Sequence, residues 1–193
     1  MKTKNRTIVI AFSTLDGVMQ NPDGSDRTPN GGWAFRYGPE AVAGDKFSLG
    51  PVLNTGVMVL GRKTWELFSR IWPNRSDDFS MAMNRMPKLV ATRTLTDLGA
   101  WKNSSRIDGD LLDSIEKQKA DRDVVITGCA SVIHALARHD RVDEYRILIF
   151  PTILGSGTRL FDTGSTPRHL RLASVETRGA AALLRYERAA ATT

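Results

Sequence analysis

The chain has 193 residues, of which 41% are hydrophobic and 25% are charged, a composition typical of globular proteins. Its length predicts one large domain over residues 1–193 with a sizeable core. The net charge is +6 and the pI is near 9.8, but no run reaches five like charges. We therefore expect no nucleic-acid partner, and we attribute the positive field to attraction of a small polyanionic ligand.

Several classes of protein are excluded by what the sequence lacks. The first apolar run, residues 8–12, is too short for a membrane span or a signal peptide, which predicts a cytoplasmic protein with no membrane partner. Cys129 is the only cysteine, so there is neither an intrachain disulfide nor a zinc cluster. The H-x-E and P-C-x-x-C patterns of zinc deaminases are absent. The histidines do not cluster and no metal site is predicted; the lack of a recognisable triad argues against hydrolases.

Short apolar runs alternate with helical patterns along the chain, which predicts an α/β fold with a mostly parallel central sheet. The predicted strands cover residues 7–13, 56–60, 88–92, 105–107, 124–127, 144–149, 170–177 and 182–187. The predicted helices cover residues 39–49, 63–71, 78–84, 109–119 and 130–138. The last two strands flank Arg178 and Gly179, so they form a hairpin and at least one C-terminal strand is antiparallel.

The strongest local signal is VMVLGRKTWE at residues 57–66, where a short apolar run stops at a glycine and a helical pattern begins. Such a turn gathers unpaired N–H groups and the positive end of the helix dipole next to Arg62 and Lys63. Gly61 lets a ligand approach the backbone closely. The pattern indicates a phosphate site. The alternative is an ordinary turn with both cations solvated, because the segment is neither a P-loop nor a G-x-G-x-x-G fingerprint.

Two long loops, residues 20–32 and 154–167, are rich in glycine, proline, asparagine and aspartate. Long ordered loops in compact domains tend to be functional. Ligands of open α/β sheets bind beyond the carboxyl ends of the strands. We therefore expect both loops to share one cleft with the turns at Gly61 and Gly128; whether the first loop closes on a ligand is left open.

Five segments resemble, in order, those of one branch of the dihydrofolate reductase-like superfamily. Residues 57–66 resemble the segment that holds the NADPH phosphates in dihydrofolate reductases. STLDG at residues 13–17 resembles the S-x-D-G end of the first strand in the reductase domain of riboflavin biosynthesis. KLVATRT at 88–94 resembles the strand and turn that meet the adenosine end of the cofactor, and VVITGCAS at 124–131 resembles a later glycine turn. VDEYR followed by PTILGSGTRLF, between residues 142 and 161, resembles the VDE…P-x-x-L-G-x-G-x-x-L-F signature of stand-alone relatives of that domain.

Together these matches cover residues 8–187. The resemblance implies the dihydrofolate reductase-like three-layer fold, with a mostly parallel central sheet and an antiparallel C-terminal hairpin. It implies NADPH as the cofactor and a homodimer as the assembly.

Eleven residues on three turns are the candidates for binding NADPH. They are Gly61, Arg62, Lys63, Thr64, Thr92, Arg93, Thr94, Gly128, Cys129, Ala130 and Ser131. Arg93 suits the 2′-phosphate of NADPH, because a guanidinium fork pairs naturally with a dianion; the alternative is a solvated arginine on a turn. Many relatives carry glycine or serine at the position of Cys129. A small apolar packing role is favoured there over a catalytic thiol, since no nearby motif supplies a base.

Five residues are the candidates for contacting the substrate: Asp16, Trp33, Phe35, Leu154 and Gly155. Asp16 is the predicted catalytic residue, which binds the substrate and orders a water for proton delivery; the alternative is Asp-Gly turn chemistry. Trp33 and Phe35 either stack on a flat ring or anchor a loop in the core. Leu154 and Gly155 either form a substrate wall or make only a tight turn.

The sequence therefore predicts an NADPH-dependent oxidoreductase that passes hydride to a small polar heterocycle or carbonyl-type substrate, similar to a riboflavin precursor or a pterin. The cofactor supplies the hydride, so few catalytic side chains are expected. A phosphorylated riboflavin precursor would need a second basic pocket, for which Arg27, Arg36 and Arg159 are the loop candidates. The alternative is a protein of the same fold that binds NADPH without turnover, as a sensor.

Overall fold

A computed structural model describes residues 5–43, 47–162 and 166–189 of the chain. Its eight strands are β1 (Thr7–Thr14), β2 (Val57–Gly61), β3 (Lys88–Ala91), β4 (Ser104–Arg106), β5 (Val124–Thr127), β6 (Glu144–Phe150), β7 (Leu170–Arg178) and β8 (Ala181–Arg188). Its α-helices are α1 (Pro39–Val42), α2 (Val52–Thr55), α3 (Arg62–Ile71), α4 (Asp78–Arg85), α5 (Leu111–Lys119) and α6 (Ala130–Arg138). No described helix has the length and apolar content needed to cross a bilayer.

All eight strands join one sheet in the order β4-β3-β2-β5-β1-β6-β8-β7. Strands β1 to β6 pair in parallel, whereas β8 runs antiparallel to both β6 and β7. The predicted mostly parallel sheet and its antiparallel C-terminal hairpin are therefore confirmed. The chain steps outward from β2 to β4 and then returns to insert β5 between β2 and β1. This crossover brings the carboxyl ends of β1, β2 and β5 together at one edge, where ligands of such sheets bind.

Helices cover both faces of the sheet, so the fold has three layers. In β1, Ile8 and Ile10 belong to one core cluster and Val9 and Ala11 belong to the other. Buried side chains from α1 to α4 complete the first cluster, and those from α5 and α6 complete the second. Strands that are buried on both faces have continuous apolar sequences. The central strands could therefore be predicted from the sequence.

The predicted helix over residues 39–49 is wrong in its extent, because α1 stops after four residues. Residues 44–46 lie outside the described residues. Beyond them, the buried guanidinium of Arg146 donates hydrogen bonds to the carbonyl oxygens of Phe47 (2.9 Å) and Ser48 (2.5 Å). Ser48 also has a left-handed φ of 52°. These carbonyls are bound by an arginine from β6, so this backbone does not continue a helix.

The other predicted elements match the structure within one or two residues at each end. The short helix α2 was not predicted. It contributes Val52 and Leu53 to the core just before β2 begins.

Candidate functional site

The turns that follow β2 and β5 are in direct contact. The Oγ1 hydroxyl of Thr64 donates a hydrogen bond to the carbonyl oxygen of Gly128 at 3.0 Å. A Cβ added to Gly61 would lie only 2.1 Å from the Sγ of Cys129, so glycine is required for these turns to pack together. The pairing of β2 with β5 places both turns at the same edge of the sheet.

The turn after β3 joins this pair of turns. The Nη1 of Arg62 donates a hydrogen bond to the Oγ1 of Thr94 at 3.2 Å, and β2 and β3 are neighbours in the sheet. The Oγ1 of Thr92 accepts hydrogen bonds from the backbone N–H groups of Thr94 and Leu95, which shapes the turn on which Arg93 is exposed. All eleven candidate cofactor residues thus lie on three adjacent turns. We call residues 61–64, 92–94 and 128–131 the turn cluster.

The two helices that begin in the turn cluster lack side-chain caps at their N-termini. The N-cap residues Gly61 of α3 and Cys129 of α6 form no side-chain capping hydrogen bond. By contrast, Asp77 caps α4 and Asp110 caps α5, each by accepting backbone N–H groups of the first turn. The first N–H groups of α3 and α6 therefore remain as donors for water or for a ligand.

Positive side chains surround these uncapped helix ends. The side chains of Lys63 and Arg93 are exposed and form no hydrogen bond or ion pair with another residue in the described part of the chain. Arg62 is also exposed, and its 3.8 Å contact with Glu66 is a loose surface pair that contributes little. Donors, helix dipoles and cations therefore converge at the turn cluster, an arrangement that favours a polyanion.

Asp16 connects the turn after β1 to the loop after β6. Its carboxylate accepts hydrogen bonds from the Thr14 hydroxyl at 2.6 Å and from the backbone N–H groups of Gly155 at 2.8 Å and Leu154 at 3.3 Å. The Thr14 hydroxyl, followed by the Gly155 N–H, lowers the pKa of Asp16 to about 2, because both stabilise the charged form. Arg159 also donates to the backbone carbonyl of Asp16. Asp16 therefore has the turn-stabilising role that was given as the alternative. A contact between Asp16 and a substrate stays a prediction.

Trp33 is a core residue. Its side chain is only 1% exposed, its Nε1 donates a hydrogen bond to the carbonyl oxygen of Gln20 at 2.9 Å, and its ring meets that of Phe150 edge-on. Its assignment as a substrate-stacking residue is therefore corrected: burial leaves no ring face for a ligand. Phe35 is 55% exposed, and stacking by Phe35 stays a prediction.

A cleft of about 210 Å³ lies between the two long loops. Val18, which precedes the first loop, forms a β-bridge with Arg159 of the second loop. We call this space the loop cleft; it is lined by Val18, Gln20, Thr28, Pro29, Asn30, Leu154, Ser156 and Gly157. Of the predicted substrate residues, it contains Leu154. Gln20 and Asn30 were missed, because only their membership of the predicted loops marks them in the sequence. A wider groove between α2 and α4 contains none of the predicted site residues.

Cys129 packs against its neighbours and has no histidine partner. Its Sγ lies 3.4 Å from the Oγ of Ser131 and against Gly61. His134 binds the loop after β6 instead: its Nδ1 lies 2.9 Å from Asp162 and its Nε2 lies 3.0 Å from the carbonyl oxygen of Arg159. Cys129 therefore has the packing role that the sequence analysis favoured over that of a catalytic thiol.

The mostly parallel eight-stranded sheet, with helices on both faces and an antiparallel strand near its end, makes this chain a three-layer α/β protein. The family model of the RibD C-terminal domain matches residues 6–184. The chain therefore belongs to the RibD C-terminal domain family, as the sequence resemblance indicated.

Individual proteins are similar to this chain over almost its whole length. The chain is 25% identical to the uncharacterized protein YwjB of Bacillus subtilis over 191 residues, which span 96% of this chain and 99% of that one. A candidate riboflavin biosynthesis protein from a Shewanella species shares the fold, with a TM-score of 0.70 at 20% identity over 96% of this chain and 99% of the other.

A bifunctional enzyme of Thermotoga maritima also shares the fold. It is named a diaminohydroxyphosphoribosylaminopyrimidine deaminase and 5-amino-6-(5-phosphoribosylamino)uracil reductase, and it matches with a TM-score of 0.57 at 14% identity. The match covers 96% of this chain and 57% of that protein. Homodimer formation and a cytoplasmic location stay predictions.

Proposed function

We propose that this protein is an NADPH-dependent oxidoreductase that transfers hydride to a small polar heterocycle. The observation that carries the proposal is the convergence of two uncapped helix N-termini with three cationic side chains in the turn cluster. The family to which the chain belongs is one of reductase-like domains, which supports the same reading. A reductase of this kind needs a cradle for a dinucleotide more than it needs catalytic side chains.

The donor set of the turn cluster fits the anionic groups of NADPH. The N–H groups of α3 and α6 suit the pyrophosphate, and Arg62 and Lys63 add positive charge beside it. Arg93 suits the 2′-phosphate, because its guanidinium is exposed and has no ion pair in the described ranges. Gly128 has a left-handed φ of 64°, which glycine adopts without strain, and the missing side chains of Gly61 and Gly128 let the two turns pack against each other. When bound, NADPH supplies the hydride.

Asp16 takes a positioning role in this proposal. Its lowered pKa keeps the carboxylate deprotonated at neutral pH, so Asp16 does not donate the proton that accompanies reduction. Instead it fixes the backbone of Leu154 and Gly155 against the turn after β1. The proton then comes from solvent water near this carboxylate, and the held loops orient the substrate toward the cofactor.

A pyrimidine-type ring is the substrate class that we propose, with a pterin as the second candidate. The Thermotoga maritima relative is named for reduction of an aminouracil derivative, and a relative from Corynebacterium diphtheriae is described as pyrimidine reductase-like. Either ring is flat and polar, with carbonyl and amino groups that hydrogen-bonding loops can recognise.

Calorimetric titration with NADPH and, in parallel, with NADH tests the cofactor assignment. We expect micromolar or tighter binding of NADPH and much weaker binding of NADH. Consumption of NADPH with a panel of oxidised pyrimidines and pterins then separates an enzyme from a sensor. Binding without turnover of any member would favour the sensor, and no binding of either nucleotide would remove the reductase proposal.

A further inference from the structure

The loop cleft differs from the turn cluster in that it is lined only by neutral side chains. We propose that the part of the substrate that enters the loop cleft is uncharged, and that Gln20 recognises it by donating a hydrogen bond from Nε2 to a carbonyl-type acceptor. This inference rests on the proposed function and specifies its substrate: an unphosphorylated heterocycle, in contrast to the phosphoribosyl compound named for the Thermotoga maritima relative.

None of the loop arginines that the sequence offered for a phosphate lines the cleft. Arg159 donates instead to the backbone carbonyl of Asp16. Arg27 and Arg36 are exposed, and neither is among the lining residues. A phosphate in the cleft would therefore leave water without gaining a charged partner, which is costly for a dianion.

A fixed negative charge next to the cleft adds to this discrimination. The carboxylate of Asp16 accepts a hydrogen bond from the backbone N–H of Leu154, which lines the cleft. Its neighbours hold it in the ionised form. An anionic ligand in the cleft would gain no attraction from this carboxylate, whereas a neutral ring would not be repelled by it.

Gln20 is held in one orientation by the opposite loop. Its Oε1 accepts hydrogen bonds from the backbone N–H of Thr158 at 2.9 Å and from the Thr158 hydroxyl at 3.2 Å. A backbone N–H can only donate, so the oxygen of the Gln20 amide must face Thr158. Its Nε2 then forms no hydrogen bond with another described residue and remains as a donor in the cleft that Gln20 lines.

The surrounding backbone is packed closely enough to keep this donor in place. The carbonyl oxygen of Gln20 accepts from the buried indole of Trp33. On the other side, a Cβ added to Gly157 would lie 2.8 Å from Val18 Cγ1 and 3.5 Å from the Gln20 Oε1. A donor held by packing and hydrogen bonds binds an acceptor with little loss of side-chain entropy.

The test uses matched pairs of ligands. Ribosylated aminouracils and pteridines are compared with their 5′-phosphates, in the presence of saturating NADPH, by ligand-observed NMR binding and by NADPH consumption. We expect the neutral member of each pair to bind at least tenfold more tightly. Preferential binding of the phosphates would overturn the inference, and so would failure of every neutral compound to bind.

Gln20→Glu is the informative variant, because a carboxylate still accepts the two hydrogen bonds from Thr158 but no longer donates into the cleft. We expect its affinity for the neutral ligand to fall about tenfold, with the NADPH dissociation constant and the melting temperature unchanged. Unchanged affinity for the neutral ligand would contradict the role of Gln20. Arg27→Ala is the control, and we expect its affinities for the neutral ligand and for the 5′-phosphate to be unchanged. Loss of phosphate binding in this variant would instead identify an anion site at Arg27.

Separate measurements distinguish the two proposals. If NADPH does not bind, the proposed function fails, while the NMR comparison without nucleotide still reports on the cleft. If NADPH binds and the phosphorylated ligands are preferred, the proposed function stands and the inference fails.

Discussion

The turn cluster and the loop cleft lie at the same edge of the sheet but are built in opposite ways. In the turn cluster, helix N-termini are left uncapped and cations are left without strong partners. Around the loop cleft, hydrogen bonds hold the backbone in place: Asp16, on the turn after β1, binds Gly155, and Gln20 of the first loop binds Thr158 of the second. The first region therefore leaves positive charge available to a ligand, whereas the cleft is lined by neutral side chains that are held in place.

In the proposed function, this difference gives the two regions different tasks. A dinucleotide brings its own charges, so its binding region must leave donors and cations free. A neutral ring brings only carbonyl and amino edges, so its binding region must be rigid and must offer few, well-placed partners. Breaking one region while the other stays intact is therefore the direct way to test the comparison.

The largest effect is expected from Gly61→Ala in the turn cluster. The new methyl group would lie 2.1 Å from the Cys129 Sγ, so the turns must separate. Overpacking of this kind costs about 1–3 kcal/mol of unfolding free energy, and we expect NADPH affinity to fall more than about tenfold. Thermal unfolding and calorimetry measure the two effects.

A double-mutant cycle with Cys129→Ala identifies the cause of this loss. Removing the sulfur leaves a Cβ contact of 3.3 Å, so the double variant should recover a large part of the stability that Gly61→Ala loses. Strictly additive effects would show that the clash is not the reason.

Arg93→Ala should change nucleotide preference while leaving the fold intact. Loss of a charge-assisted hydrogen bond costs roughly 1.5–3 kcal/mol, so we expect NADPH affinity to fall between about tenfold and a hundredfold. NADH affinity should stay unchanged, because NADH lacks the 2′-phosphate. If calorimetry shows that the affinities for both nucleotides fall equally, Arg93 does not contact the 2′-phosphate.

Asp16→Asn should affect the loop cleft and not the turn cluster. The amide cannot accept from both backbone N–H groups as the carboxylate does, so the loop after β6 loosens and KM for the substrate should rise several-fold while NADPH affinity holds.

The pH dependence of stability gives a second readout of the Asp16 carboxylate. The folded pKa of about 2 lies below the ordinary 3.8, so the stabilisation by Asp16 is present above pH 4 and is lost as the pH falls toward 2. Chemical unfolding should show a higher free energy of unfolding for the wild type than for the variant at pH 6, and a smaller difference at pH 2.

Lys88 lies outside both regions and serves as the reference for them. Its buried ammonium donates to the carbonyl oxygens of Met83 and Asn84 and lies over the ring of Trp101. Desolvation lowers its pKa from 10.5 to about 8, so between these pH values the unfolded chain binds more protons and stability rises with pH. Lys88→Met should abolish this rise, of order 3 kcal/mol at most, without changing NADPH affinity. If the free energy of unfolding of the variant still rises with pH over this range, the titrating group is not Lys88.

Much of the fold could be predicted because local pattern and tertiary environment agree in the central strands. The buried strands β1, β2 and β5 read as apolar runs, and α6 follows its glycine turn as the 3.6-residue pattern predicts. The prediction failed over residues 39–49, where Arg146 binds the backbone from 98 and 99 positions away along the chain. No local pattern contains such a contact.

The candidate site divides in the same way. The turn cluster was predictable, because each turn carries its own glycine, cation or hydroxyl within a few residues. A cleft shared by the two long loops was also predicted, but the part played by Gln20 was not, since its amide is oriented by Thr158, 138 positions along the chain. Trp33 illustrates a second limit: an aromatic residue after two glycines suits a core or a stacking site equally, and only its burial decides between them.

A crystal structure of the protein with NADPH tests the division of charge most directly. We expect the pyrophosphate at the N-termini of α3 and α6 and the 2′-phosphate within hydrogen-bonding distance of Arg93, with no phosphate in the loop cleft. A phosphate group seated among Gln20, Asn30 and Ser156, or a turn cluster without a bound nucleotide at saturating NADPH, would contradict the account.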